Sequence, residues 1–338
     1  MIADTGSSIV EPIGARTGVT GLHLVHNRHL ETLLFNRNLT DLPFRRACLA
    51  SSREFLRHIR DELDGADLAE LIILSKGLVY QLADAVATEA GRNLPANLVS
   101  TSRVAVASDD ATVEVPYARF DAGGSTLLIG DTVASGATIV AALREYRRFH
   151  PVRRLYVLSY AGALHGAARI ADYCAGSGIE CTMLFGLAAF GLAENGFDLS
   201  FLHPATVTRD AYRERARRQF AGRPVSAVGW DFGSQAMAPE KYRELCWVEA
   251  GLWDLRGSPA LAVAREPENM AALAHEAPAY AGTTYQAPGD DAVRDAEAMA
   301  DARASSGDCA AVGVDDPGVR QDDPLVVAHP QQVATGMR

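Results

Sequence analysis

Ser125-Thr-Leu-Leu-Ile-Gly130-Asp131-Thr132-Val-Ala134-Ser135-Gly136-Ala137-Thr138-Ile-Val-Ala-Ala-Leu143 is the stretch whose reading decides the fold. Leu127-Leu128-Ile129 is too short an apolar run for a helix and suits the interior strand of a parallel sheet. Ala134 to Thr138 carries only small or hydroxyl side chains, so backbone amides there can approach a ligand closely. Ile139, Leu143 and Tyr146 then recur at helical spacing, which predicts a helix starting near Ala137. Amides at a helix N-terminus, the positive end of its dipole and two hydroxyls make a cradle for phosphate. Asp131, at the end of the strand, is placed to accept hydrogen bonds from sugar hydroxyls. An ordinary strand-to-helix turn of an α/β protein would show the same pattern, so the neighbouring segments have to separate the two readings.

Leu71-Ile-Ile-Leu74-Ser75-Lys76-Gly77 is a second apolar strand ending in a glycine turn, with a helix expected to follow through Ala90. Lys76 stands out because only two of the 32 basic residues are lysines. Alternating segments at 97–107 and 111–120, bounded by Asp109-Asp110 and Gly123-Gly124, predict a hairpin-like excursion. Arg154 to Tyr160 and Cys181 to Gly186 read as further strands, and Ala161 to Cys174 as a helix between them. Repeated strand-helix units predict a parallel sheet with right-handed crossovers, with ligands at the carboxyl ends of the strands.

The chain has 338 residues, 48% of them hydrophobic and 22% charged, the balance of a soluble globular protein. Its net charge of −10 is uneven: residues 257–338 hold 13 acids against five arginines, leaving the preceding part near neutral. That gives no basic surplus for nucleic acid. The longest apolar stretch, Leu184 to Ala193, is ten residues, too short to span a bilayer. No basic start followed by an apolar run opens the chain, so a cytoplasmic protein is expected. Cys48, Cys174, Cys181, Cys246 and Cys309 are scattered without C-x-x-C spacing, as befits reduced thiols. Residues 1–20 are expected to be a flexible leader. His23 to Leu63 reads as helical, and the three-residue spacing of His23, His26 and His29 lacks the carboxylate or cysteine that would complete a metal set. Trp230, Trp247 and Trp253 mark 225–255 as folded, while 256–338, without Phe or Trp, reads as a disordered acidic tail.

Strand, acid and hydroxyl-rich turn at 125–143 resemble the phosphoribosyl-pyrophosphate signature of the type I phosphoribosyltransferases. Ser75-Lys76-Gly77 is similar to that family's pyrophosphate loop. Leu24-Val-His26, Leu33 to Thr40 and Phe44-Arg45 resemble the opening of the uracil phosphoribosyltransferase branch, and Arg103-x10-Glu-Val-Pro-Tyr117 is similar to a stretch of the same enzymes. Glu194-Asn-Gly-Phe197-Asp198 resembles their acceptor loop in outline, but Thr206-Val-Thr-Arg-Asp210 stands where their Gly-Leu-Gly-Asp-Ala-Gly-Asp run would follow. Gly130 replaces the first acid of the family's usual pair, and Ala134 the carboxylate that faces a purine base.

The resemblance implies an α/β fold, a parallel sheet flanked by helices, over residues 21–255, with a C-terminal hood over about 190–255. It implies phosphoribosyl pyrophosphate bound by Ser75, Lys76, Gly77, Arg103, Asp131, Thr132, Ala134, Ser135, Gly136, Ala137 and Thr138, with Asp131, Lys76 and Arg103 catalytic. Mg²⁺ would come with the donor rather than on protein ligands, and Glu194, Phe197 and Asp198 would meet the acceptor. The partners implied are small-molecule substrates and a second copy in a homodimer, with neither nucleic acid nor membrane. The altered acceptor loop points to a specialised acceptor of secondary metabolism, such as an aminoglycoside hydroxyl in antibiotic biosynthesis. Uracil, or a non-catalytic sensor of phosphoribosyl pyrophosphate, are the other readings.

Overall fold

Short uninterrupted apolar runs build the centre of the molecule, because a strand covered by helices on both faces leaves no side for water. The structure, a computed structural model, describes residues 8–104, 112–193, 196–229 and 232–255. Residues 1–7 of the expected leader, the expected tail at 256–338, Glu194 and Trp230 lie outside the described residues.

The chain enters through β1 (Ile9–Pro12), one helical turn α1 (Gly14–Thr17) and β2 (Leu22–His26). Helices α2 (Arg28–Phe35) and α3 (Asp41–Leu63) lead to β3 (Leu68–Leu74), a 3-10 turn at Lys76–Tyr80 and α4 (Leu82–Ala90). An antiparallel arm, β4 (Ala96–Val104) and β5 (Thr112–Arg119), precedes β6 (Thr126–Gly130) and α5 (Ala137–Tyr146). Then come β7 (Arg154–Ser159), β8 (Gly162–Ala163), α6 (Leu164–Gly176) and β9 (Glu180–Gly186). The C-terminal part holds β10 (Ala188–Leu192), β11 (Leu199–Ser200), β12 (Val207–Thr208), α7 (Asp210–Gln219), α8 (Ser234–Met237) and α9 (Pro239–Leu252).

Among the described residues the large sheet runs β1-β2-β9-β7-β6-β3-β4-β5. The six inner strands are parallel, and β1 and β5 close the edges in antiparallel sense. This is the expected α/β fold, a parallel sheet flanked by helices. Period-two alternation divides its core: Leu128, Tyr156, Leu158 and Leu184 pack with α3 and α4, whereas Leu127, Ile129, Val157 and Phe185 pack with α5 and α6. From β6 the chain crosses to β7 on one side, and from β3 to β4 on the other. The carboxyl ends of β3 and β6 therefore form a topological switch point, where open α/β sheets hold ligands.

Two expectations need correction. The leader is not loose throughout 1–20, because Ile9–Pro12 pairs with His23–His26 as an edge strand and Ile13 is fully buried. The helix expected from His23 begins at Arg28; before it, Leu22 to Val25 pair with Met183 to Gly186 of β9. On that strand His23 and His26 point to opposite faces. His23 lies against His58, with ring centroids 6.0 Å apart, while His26 stacks on Tyr212 at 5.7 Å.

The C-terminal part expected to form the hood is joined to the N-terminal helices by a buried charge. Arg37, just beyond α2, donates to the Ser226 carbonyl and lies 3.4 Å from the Glu249 carboxylate of α9. Burial pushes the Glu249 carboxyl up, and Arg37 opposes that push. Arg243 of α9 adds a bond of 3.0 Å to Thr40 and a half-exposed ion pair of 3.2 Å to Asp41. Removing one partner of a buried pair leaves the other charge uncompensated, at a cost of about 3–5 kcal/mol, whereas exposed pairs contribute about 0–1 kcal/mol. Arg37→Met is therefore expected to destabilise the protein several times more than Arg243→Ala in urea unfolding; equal losses would show that the hood is not held this way.

Candidate functional site

Every residue of β6 is buried, and the backbone leaves it through Asp131, whose N–H donates to the Leu158 carbonyl at 3.3 Å. Asp131 is itself only 8% exposed, and its Oδ1 accepts from the Thr132 N–H at 2.8 Å. The turn that follows is pinned to the end of β7. Val133 N–H donates to the Ala161 carbonyl at 3.1 Å, and Ala163 N–H to the Val133 carbonyl at 2.7 Å.

Gly136 is the N-cap of α5, with φ at +74°. An added Cβ there would fall 2.6 Å from the Gly166 carbonyl oxygen, so the turn accepts only glycine on both counts. Gly136 offers the helix no side-chain cap, and the Ser135 hydroxyl stands 3.4 Å from the Ala137 N–H. Ala134, Ser135, Ala137 and Thr138 are partly exposed around this N-terminus, the arrangement that suits an anion.

The second loop comes from β3. Leu74–Ser75 is a cis peptide, Ser75 and Lys76 are exposed, and Gly77 is buried. A Cβ on Gly77 would lie 3.3 Å from the Gly130 carbonyl oxygen and 3.3 Å from Ile72 Cγ2, so the two loops meet backbone to backbone. The helix expected directly after Gly77 is instead a 3-10 turn, broken at Gln81, where φ is +49°, before α4 begins.

Charge converges on Asp131 from two directions. Burial pushes its carboxyl up from the ordinary carboxylate range to about 7, opposed by the Thr132 amide and by the positive fields of Lys76 and Arg103. Arg103 reaches the site from β4, and its guanidinium lies over the Phe197 ring, 4.5 Å from the centroid. Lys76, just past β3, and Arg103, on β4, thus both act on Asp131, just past β6, and Phe197 meets Arg103. Asp198 is half-buried beside Phe197, and its charge acts on Glu249 inside the hood.

One neighbour of the site escapes a reading of the sequence. Tyr80 is fully buried and its ring stands against Gly130, where an added Cβ would fall 2.5 Å from the ring's Cγ. Within a presumed helix it reads as one more core aromatic; the glycine at 130 is the only trace of it in the sequence.

No protein-family model matches the chain, and no curated protein sequence does. Among solved structures it is similar to the AQ2163 protein from Aquifex aeolicus, at 13% identity over 51% of this chain and 86% of that one, with a TM-score of 0.41. It is similar to adenine phosphoribosyltransferase from Trypanosoma brucei, at 12% identity over 49% and 83% of the two chains, TM-score 0.32. It is also similar to orotate phosphoribosyltransferase from Mycobacterium tuberculosis, at 17% identity over 47% and 89%, TM-score 0.30.

Burial of Asp131 has a sign that can be checked. With its carboxyl at about 7 in the folded chain and near 3.8 otherwise, the folded state binds the extra proton between those values. Its contribution to stability is complete below the lower value and is lost as pH rises toward the upper one. Asp131→Asn is expected to flatten that slope and to make the empty protein more stable at pH 8, by on the order of 2 kcal/mol. Thermal unfolding at pH 5 and pH 8 tests this; a variant less stable at pH 8 contradicts it.

Proposed function

We propose that the protein is a phosphoribosyltransferase, moving 5-phosphoribose from phosphoribosyl pyrophosphate to an acceptor with release of pyrophosphate. The convergence of Asp131, Lys76 and Arg103 beside the N-terminus of α5, at the switch point of the sheet, carries this reading. The 5-phosphate rests in the turn from Ala134 to Thr138, taken up by amides and by the Ser135 and Thr138 hydroxyls. Asp131 accepts from the ribose. Ser75 to Gly77 and Arg103 stand on the side where pyrophosphate departs, with Lys76 and Arg103 neutralising the charge that develops there.

The bond to the leaving oxygen breaks ahead of the bond to the acceptor, so positive charge grows on the sugar and the buried Asp131 carboxylate stabilises it. Among the described residues no three His, Cys, Asp or Glu side chains gather to hold a metal. A hard divalent cation would come with the donor's diphosphate, and the Asp131 carboxylate beside it would suit that charge. Bound Mg²⁺ would supply additional neutralisation of the pyrophosphate oxygens.

The acceptor we favour is a specialised metabolite, an aminoglycoside hydroxyl in antibiotic biosynthesis being the type. The support is the chain's departure from the uracil pattern after Asp198, together with Phe197, whose ring lies under the Arg103 guanidinium. Uracil, with UMP as product, and a non-catalytic sensor are the competing readings. We take the working form to be a cytoplasmic homodimer, as the family resemblance implies. Among the described residues, no helix is long and apolar enough to cross a membrane.

Pyrophosphate release with magnesium and a panel of uracil, purines and aminoglycosides separates the readings. Turnover with an aminoglycoside supports ours, turnover with uracil alone removes the specialised acceptor, and donor binding without turnover across the panel favours the sensor. Lys76→Ala is expected to lower turnover roughly 10²–10³-fold, the usual consequence of removing one preorganised charge contact. Donor affinity should also rise as pH passes upward through about 7, because the ionised Asp131 carboxylate accepts hydrogen bonds from hydroxyls more strongly than the neutral acid does. An affinity constant from pH 6 to pH 8 would count against Asp131 as the sugar's partner.

A further inference from the structure

The cysteines are scattered along the chain, but the fold brings two of them together. Cys174 lies in the last turn of α6, and Cys181 is the second residue of β9. Strand alternation turns Cys181 to the same face as Met183 and Phe185, into the layer between the sheet and α6 where Cys174 is fully buried. There the Cys181 thiol donates a hydrogen bond to the Cys174 sulfur. Cys48 and Cys246 meet tyrosine hydroxyls instead, those of Tyr160 and Tyr242, and burial pushes both of their thiols up.

The segment between Cys174 and Cys181 is a tight surface turn. The Ser177 and Ile179 N–H groups both donate to the Cys174 carbonyl, at 3.0 and 2.9 Å, and Gly178 has φ at +67°. Ala175, Gly176 and Gly178 are exposed, and a Cβ on either glycine would meet nothing within 4 Å. The turn therefore has room to adjust when two sulfurs already in contact draw closer. Charge favours one of them as the attacking group. The hydrogen bond from Cys181 holds the Cys174 thiol below the ordinary thiol range, burial opposes it, and the Arg147 guanidinium adds to it. Arg147 is anchored there by bonds of 3.1 Å to the Tyr173 hydroxyl and 3.5 Å to the Ser177 carbonyl. The thiolate is the form that oxidants attack, so an activated sulfur stands beside a second thiol that can resolve it.

We infer that Cys174 and Cys181 form a redox modification site, which a peroxide converts reversibly into a disulfide joining α6 to β9. The Cys174 thiolate attacks one oxygen of hydrogen peroxide and the O–O bond breaks. Cys174 becomes a sulfenic acid, and the departing hydroxide is neutralised by the proton that Cys174 gave up. The Cys181 sulfur then attacks the Cys174 sulfur, the S–O bond breaks, and the Cys181 proton leaves with that oxygen as water. Two thiols thus lose two electrons, and one peroxide becomes two waters. Cys181 opens β9, at the amino end of a parallel strand, whereas the candidate functional site lies at carboxyl ends. The inference is therefore independent of the proposed transfer.

Peroxide treatment of the full chain at pH 7, then alkylation under denaturing conditions and cleavage after glutamate, reads the bond directly. Glu180 lies between the two cysteines, so their peptides separate unless a disulfide joins them. The joined pair is expected to be the principal disulfide, and dithiothreitol should release it. Recovery of both peptides alkylated and unlinked, at an exposure that fully oxidises free glutathione, overturns the proposal. So does a Cys174 joined chiefly to another cysteine. Two variants test the order of attack. Cys181→Ser should leave Cys174 carrying oxygen in place of a bridge, and Cys174→Ser should slow oxidation of Cys181 at least about tenfold. An unmodified Cys174 in the first, or an unchanged rate at Cys181 in the second, overturns Cys174 as the attacking sulfur.

Discussion

β3 and β6 lie side by side, joined through Leu68 with Thr126, Ala69 with Leu127 and Glu70 with Leu128, and their outgoing connections run to opposite sides of the sheet. Much else depends on that pairing. It sets Ser75–Gly77 against Gly130–Asp131 closely enough that a Cβ on Gly77 would lie 3.3 Å from the Gly130 carbonyl oxygen. It also fixes which other residues can reach the crevice: β4, next to β3, brings Arg103, and the bridge from Val133 to Gly162 brings the end of β7. A shift of one residue in register would turn Leu127 and Ile129 out of one core layer and Leu128 out of the other. The site geometry is thus protected by hydrophobic burial on both faces of the sheet.

The same burial puts a carboxylate where its charge is disfavoured. Asp131 is lifted toward neutrality by desolvation, and the Thr132 amide, Lys76 and Arg103 recover only part of what is lost. In an empty site this is a strain on folding. With a ligand that donates hydroxyl protons to the carboxylate, the desolvated acceptor becomes an advantage, because little water competes for it. The arrangement follows a familiar exchange of stability for preorganisation.

How much was legible in the sequence follows the length scale of each signal. Strands β3, β6 and β9 and the start of α5 were readable because an apolar run, a glycine turn and helical spacing are local. The hydroxyl-rich turn carried its own chemistry. Two errors came from short elements: Ile9–Pro12 lacks a long apolar run and is ordered only by pairing with β2, and Leu22–His26 sits directly before true helices whose periodicity swamps it. Contacts between distant segments were beyond reach in principle. Nothing near Arg37 announces Glu249, 212 residues away, and nothing near Gly130 announces the ring of Tyr80 except the missing side chain itself.

That difference explains why the two halves of the proposed reaction are so unequally specified. In the proposed reading the donor half is written in backbone: amides of α5, glycines that permit close approach, and side chains rooted at strand ends whose register is fixed. In that reading the acceptor half is written in loop side chains, Phe197 and Asp198, carried between Leu192 and Leu199, which pack on the core cluster that also holds Phe35 and Phe201. Arg103 links the two, since the guanidinium that lies over the Phe197 ring is also the charge that acts on Asp131. Moving the guanidinium off that ring would change the field at Asp131, because one side chain makes both interactions.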